Sequence, residues 1–140
     1  MATPGGSGQG QPLSNEWQDL GLVDELKKMK CRRMWAEKGS DVALFCITEG
    51  DKERFFVTNA KCPHENGPLD QGDIEDMGNG KYKLICPIHF YTFDLDTGIS
   101  ETHAPMQVAV FPTETRDGHL FVKYPEVLSK KNPKKRPSRF

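Results

Sequence analysis

Apolar residues fall in short runs separated by turn residues. Val42-Ala43-Leu44-Phe45-Cys46-Ile47 is apolar throughout and reads as a buried strand. Glu49-Gly50-Asp51-Lys52 then reads as a hairpin loop, and Arg54-Phe55-Phe56-Val57-Thr58 returns as a second strand. Arg32 to Ala36 makes an earlier strand, ended by the turn residues Gly39-Ser40-Asp41. Further on, Lys81-Tyr82-Lys83-Leu84-Ile85 alternates polar and apolar after the turn Met77-Gly78-Asn79-Gly80, which predicts a hairpin within Asp70 to Ile85. Tyr91 to Leu95 is another strand, closed by Asp96-Thr97-Gly98. Val108 to Phe111 and His119 to Tyr124 predict a final hairpin around Asp117-Gly118. Only Asp24 to Met29, with acids first and lysines last, looks helical, for one or two turns. The pattern predicts an all-β domain with one short helix.

The ends differ from this middle. Residues 1–15 are rich in Gly, Ser, Gln and Pro, too poor in apolar side chains to pack, and predict a disordered arm. The domain is expected over 16–128, and 129–140 is expected to be a basic, solvated tail. At 140 residues the chain has length for about one domain. No apolar run approaches the ~20 residues of a membrane-spanning helix. Ala2 stands where N-myristoylation needs Gly, and the first fifteen residues have neither charge nor an apolar signal core. The expected setting is cytoplasmic, with no membrane partner.

A net charge of -1 conceals a division. Residues 1–128 hold thirteen basic and all twenty acidic side chains, a balance of -7, and the tail supplies the rest of the positive charge. Residues 62–105 alone hold eight acids against two lysines, or -6. Nucleic acid is excluded as a partner for this surface, and a protein with a basic docking face is expected.

The four cysteines are Cys31, Cys46, Cys62 and Cys86. Cys46 belongs to an apolar run and reads as core; Cys31 reads as a small residue beside a strand. The other two stand in short loops marked by Pro or Gly. One reads Cys62-Pro63-His64 and the other Cys86-Pro87-Ile88-His89, so each loop offers one thiolate and one imidazole. Two metal centres accept that set. Zinc takes two Cys and two His in a closed tetrahedron. A two-iron cluster can place two Cys on one iron and two His on the other, each loop giving one ligand to each iron. His103 and His119 read as surface residues.

Gly67-Pro68-Leu69 follows the first ligand pair, Phe93-Asp94-Leu95-Asp96-Thr97-Gly98 follows the second, and Pro105 stands a few residues on. With Cys62, His64, Cys86 and His89 these segments resemble the Rieske [2Fe-2S] domain family over about residues 17–125. The resemblance implies small antiparallel sheets, in a sandwich or open barrel, with a cluster-binding loop subdomain at 60–105. It implies one [2Fe-2S] cluster per chain on those four ligands. Leu69, Pro87, Tyr91 and Pro105 would be the neighbours that screen it or bond to it.

Departures from the family's high-potential members carry information. Those members have an extra Cys in each ligand loop, joined as a disulfide; the matching positions here are Gly67 and Ile88. They also place Ser and Tyr hydroxyls against the cluster, where this chain has Tyr91 and Phe93. Phe90 replaces a usual Gly. Fewer hydrogen-bond donors and a negative surround disfavour adding an electron, which predicts a low potential within the Rieske range. The function implied is a monomeric, non-catalytic one-electron carrier between a flavin reductase and an oxygenase or other acceptor. Alternatives are the small electron-transfer subunit of a larger reductase, as in nitrite reductase, and a structural zinc module. An oxygenase in its own right is excluded, because no second group of two His and a carboxylate is left.

Overall fold

The computed structural model describes residues 17–36, 40–63, 67–88, 90–100 and 106–130. At its centre lie β3 (Val42–Glu49) and β4 (Lys52–Asn59), paired antiparallel along their whole length from Val42↔Asn59 to Glu49↔Lys52. Successive side chains of a strand point to opposite faces. Val42, Leu44 and Cys46 with Phe55 and Val57 therefore enter one core, and Ala43, Phe45 and Phe56 enter another. The run from Val42 is unbroken because both faces of the strand are covered.

The first core is closed by a three-stranded sheet. β1 (Trp17–Leu22) pairs with β10 (His119–Lys123), and β10 with β9 (Thr113–Arg116). Leu20, Leu120 and Val122 share this core with Leu44 and Val57, and Leu26 of α1 (Val23–Leu26), the one α-helix among the described residues, joins them. The central sheet is completed by β2 (Cys31–Ala36), β8 (Val110–Phe111) and β11 (Leu128–Ser129), in the order β11-β2-β3-β4-β8. On the other face lies the sheet β5 (Asp73–Gly78), β6 (Lys81–Ile85) and β7 (Thr92–Asp94). Every named pairing is antiparallel.

Two expectations need correction. The closing hairpin is not made by Val108 to Phe111. Val110 and Phe111 pair with Thr58 and Val57 of β4, and Pro112 then carries the chain to the other sheet. The partner of β10 is the polar stretch Thr113–Arg116, joined through Asp117 and Gly118, both at positive φ as a two-residue hairpin turn requires. Four polar residues on a sheet edge show no apolar alternation, so the pattern could not reveal them. β1 carries no expectation from the sequence. Leu20 is its one fully buried side chain, and its pairing is irregular between Asp19 and Gly21, so its period of two is hidden. The helix is shorter than Asp24 to Met29, ending at Leu26.

Residues 1–15 and 131–140, the expected arm and most of the expected tail, lie outside the described residues. Among the described residues, no helix is long and apolar enough to cross a membrane.

Candidate metal centre

β4 and β6 each deliver the chain into a short closed loop that begins with a cysteine. In the first, Cys62 N donates to Gly67 O at 2.8 Å and Leu69 N to Ala60 O at 2.8 Å, while Lys61 bridges to Pro68. In the second, Cys86 N donates to Tyr91 O at 2.9 Å and Phe90 N to Cys86 O at 3.0 Å. Each cysteine thus stands at the foot of a loop whose base is tied by its own backbone. Ser100 N donates to Met106 O at 3.0 Å.

The two cysteine loops meet. A Cβ built on Gly67 would stand 2.9 Å from Cys86 Sγ, closer than real carbon atoms approach. Only glycine lets the first loop lie against the second thiol. Cys62 and Cys86 are 0% and 1% exposed and belong to the same buried cluster, with Leu69, Leu84, Phe93 and Leu95. Two buried thiols at the feet of two touching loops fit the thiolate half of the expected ligand set. His64, His89, His103 and Pro105 lie outside the described residues.

The remaining predicted neighbours occupy different places. Leu69 is fully buried and opens a 3-10 turn, Leu69–Gln71, so it is part of the core beneath both loops. Tyr91 is half-buried against that core, and Pro87 is half-buried on the second loop. Phe93 is fully buried in the same cluster. Of the two other cysteines, Cys31 on β2 packs against the same cluster and Cys46 on β3 belongs to the other core. Burial pushes both thiols up, and at Cys31 the Asp70 and Asp73 carboxylates add to it. His119 lies away from this centre, its Nδ1 3.0 Å from Asp19 Oδ2 across β1 and β10.

Ionic contacts lock the loop-bearing sheet to the central one. Arg33 Nε on β2 lies 3.5 Å from Asp70 Oδ1, just after the first loop; neither atom has a well-aligned hydrogen bond, so the contact is coulombic. At the far end, Arg54 on β4 donates to Gly80 O at 2.7 Å and reaches Glu49 Oε2 and Asp96 Oδ1, each at 3.4 Å. Its guanidinium lies over Phe56 and Tyr82, and the Tyr82 hydroxyl donates to Glu49 at 2.6 Å. That bond, then burial, pushes the Tyr82 phenol up to about 12. Arg54 and Tyr82 were not singled out in the sequence. An arginine in a strand carries no mark of the hairpin tip it will meet twenty-six positions on.

Comparison with known proteins places this geometry. The profile of the Rieske-like [2Fe-2S] domain matches residues 16–123. Nitrite reductase [NAD(P)H] of Emericella nidulans is 37% identical over 93 residues, 63% of this chain, which spans only 8% of that protein. The 3-phenylpropionate/cinnamic acid dioxygenase ferredoxin subunit of Photorhabdus laumondii is 29% identical over 71% of this chain and 87% of its own. The solved ferredoxin of Sphingomonas yanoikuyae B1 superposes with a TM-score of 0.59 at 25% identity, covering 77% of this chain and 98% of its own.

Proposed function

This chain belongs to the Rieske-like [2Fe-2S] domain family, and we propose that it is a ferredoxin-type carrier that moves single electrons between a reductase and a terminal oxidoreductase. The observation that carries this reading is the meeting of the two cysteine loops at Gly67, with both thiols buried in one cluster. A [2Fe-2S] cluster supplies reversible one-electron chemistry when bound. The chain's residues supply the rest. Cys62 and Cys86 would hold one iron by thiolate, and His64 and His89 the other by imidazole. Leu69, Leu95 and Phe93, buried with both thiols, would keep water from a cluster held there. The tied loop bases hold both cysteines fixed, so little has to move when the charge changes.

Phe93 offers no hydroxyl to the thiolate side, and acids outnumber lysines around the loops. Both disfavour the reduced state, which supports a potential toward the low end of the Rieske range. The reading is of a cytoplasmic monomer, not catalytic alone, with a flavin reductase as donor and an oxygenase or other enzyme as acceptor. The dioxygenase ferredoxin subunit, matched over most of its length, favours this over the alternative. The alternative is an electron-entry subunit of a larger reductase, and the Emericella nitrite reductase match supports it.

An anaerobic titration with dithionite tests the carrier reading. The protein should bleach with uptake of one electron per chain and recover its colour fully with ferricyanide. Colourless protein holding one zinc would replace the carrier with a structural module.

A further inference from the structure

Phe90 has a φ of +61, the left-handed region that aromatic residues rarely occupy. The loop is held there by the bond from Phe90 N to Cys86 O at 3.0 Å. Glycine would adopt this conformation without strain, yet the chain carries a phenyl ring, and most of that residue faces solvent: Phe90 is 69% exposed. Backbone strain that presents a largely exposed ring points to a use outside the molecule. Ile88, 45% exposed, stands two residues before it and packs on Gly67, and Pro63 is exposed on the first loop. Apolar side chains on both cysteine loops therefore border the site, inside a segment of charge -6. Asp73, Glu75 and Asp76 are exposed on β5.

We infer that Phe90, supported by Ile88, is the anchor that seats this chain on a basic redox partner with an apolar patch at its cofactor edge. The inference rests on the carrier reading and names the partner class and the contact. An apolar centre with a charged periphery is the usual anatomy of an interface, and aromatic residues are its common anchors. A second copy of the chain is a poor occupant, because it would oppose two acidic surfaces. Docking there brings the partner's cofactor beside the second cysteine loop. A cluster held there would pass one electron to, or take one from, the partner's redox centre, with no bond made or broken.

The test uses mitochondrial cytochrome c, a basic protein with an exposed haem edge, as the probe. Affinity is measured by calorimetry at low ionic strength with both proteins oxidised, so that no electron passes. Phe90→Gly should weaken binding by about fivefold or more, the loss of a moderate anchor residue. Its melting temperature should not fall, because glycine suits the backbone there. Val127→Ser removes a residue 73% exposed outside the loops and should keep binding within about twofold. Equal binding by Phe90→Gly and the native chain would overturn the inference. So would a marked fall in its melting temperature, an equal loss in Val127→Ser, no binding by the native chain, or a dimer of the native chain that Phe90→Gly dissolves. The absorption spectrum of the same samples reports separately on the carrier reading: iron absent and zinc present would remove that reading, while the binding comparison still decides the role of Phe90.

Discussion

Ile88 lies so close over Gly67 that no side chain fits between them. A Cβ at position 67 would stand 2.6 Å from Ile88 Cγ1 and 3.5 Å from Ile88 Cβ. The second distance is within the usual Cβ separation of bridged cysteines. The two positions expected from the resemblance to match a disulfide are thus neighbours in space, and here an apolar contact stands in for the covalent link.

Gly67→Ala tests how much that contact carries. The added methyl meets both Ile88 and Cys86 Sγ, so the loops must separate. The expected cost is about 1–3 kcal/mol, the range for overpacking a close contact. Denaturant unfolding and the iron content of purified protein would show it, with iron falling in step with stability. Unchanged iron and stability would mean that the loops yield freely.

Phe93→Tyr restores a hydroxyl to the position where high-potential relatives have one. One added hydrogen bond favouring the reduced state should raise the potential on the order of 50 mV. Redox titration followed by absorbance would measure the shift. A potential that does not rise would show that the hydroxyl finds no sulfur partner at this fully buried site.

The Tyr82 phenol, held near 12 by its bond to Glu49, has a pH consequence. The unfolded chain loses this proton near the ordinary tyrosine value of 10, before the folded chain does. Stability from the bond is therefore complete below pH 10 and is lost as pH rises toward 12. Tyr82→Phe should flatten that alkaline limb of the stability profile. Chemical denaturation at a series of alkaline pH values would reveal an unaltered slope if the bond were absent.

Much of this was legible in the sequence. The two cysteine loops, the Val42 and Arg54 strands and the hairpin before Cys86 carried apolar runs or turn residues that act locally. Cys46 was read as core and is buried. β9 was hidden because Thr113–Arg116 is a polar edge strand, and β1 because Gly21 interrupts its alternation. At the site, residue type alone pointed to two matched cysteine and histidine pairs. What it could not show depends on distant parts of the chain coming together. Arg54 meeting Gly80, Asp70 meeting Arg33, and the left-handed turn at Phe90 are of this kind.

Arg54→Ala would release the hairpin tip and the turn at Asp96 from the central sheet together. The side chain is about one-third exposed, so the expected loss is a moderate ~1–2 kcal/mol. Hydrogen exchange should quicken at β5 and β6 before it does at β3. Uniform quickening across both sheets would place the stabilisation elsewhere.

The central claim is that Cys62, His64, Cys86 and His89 hold one cluster with both imidazoles on one iron. Electron paramagnetic resonance of the dithionite-reduced protein, with isotopically labelled histidine to resolve nitrogen couplings, tests it most directly. The account predicts a rhombic signal of low average g with two histidine nitrogens coupled to the ferrous ion, and a shift toward the all-cysteine type of signal in His64→Cys or His89→Cys. An iron-containing protein whose reduced signal shows no histidine coupling would contradict it.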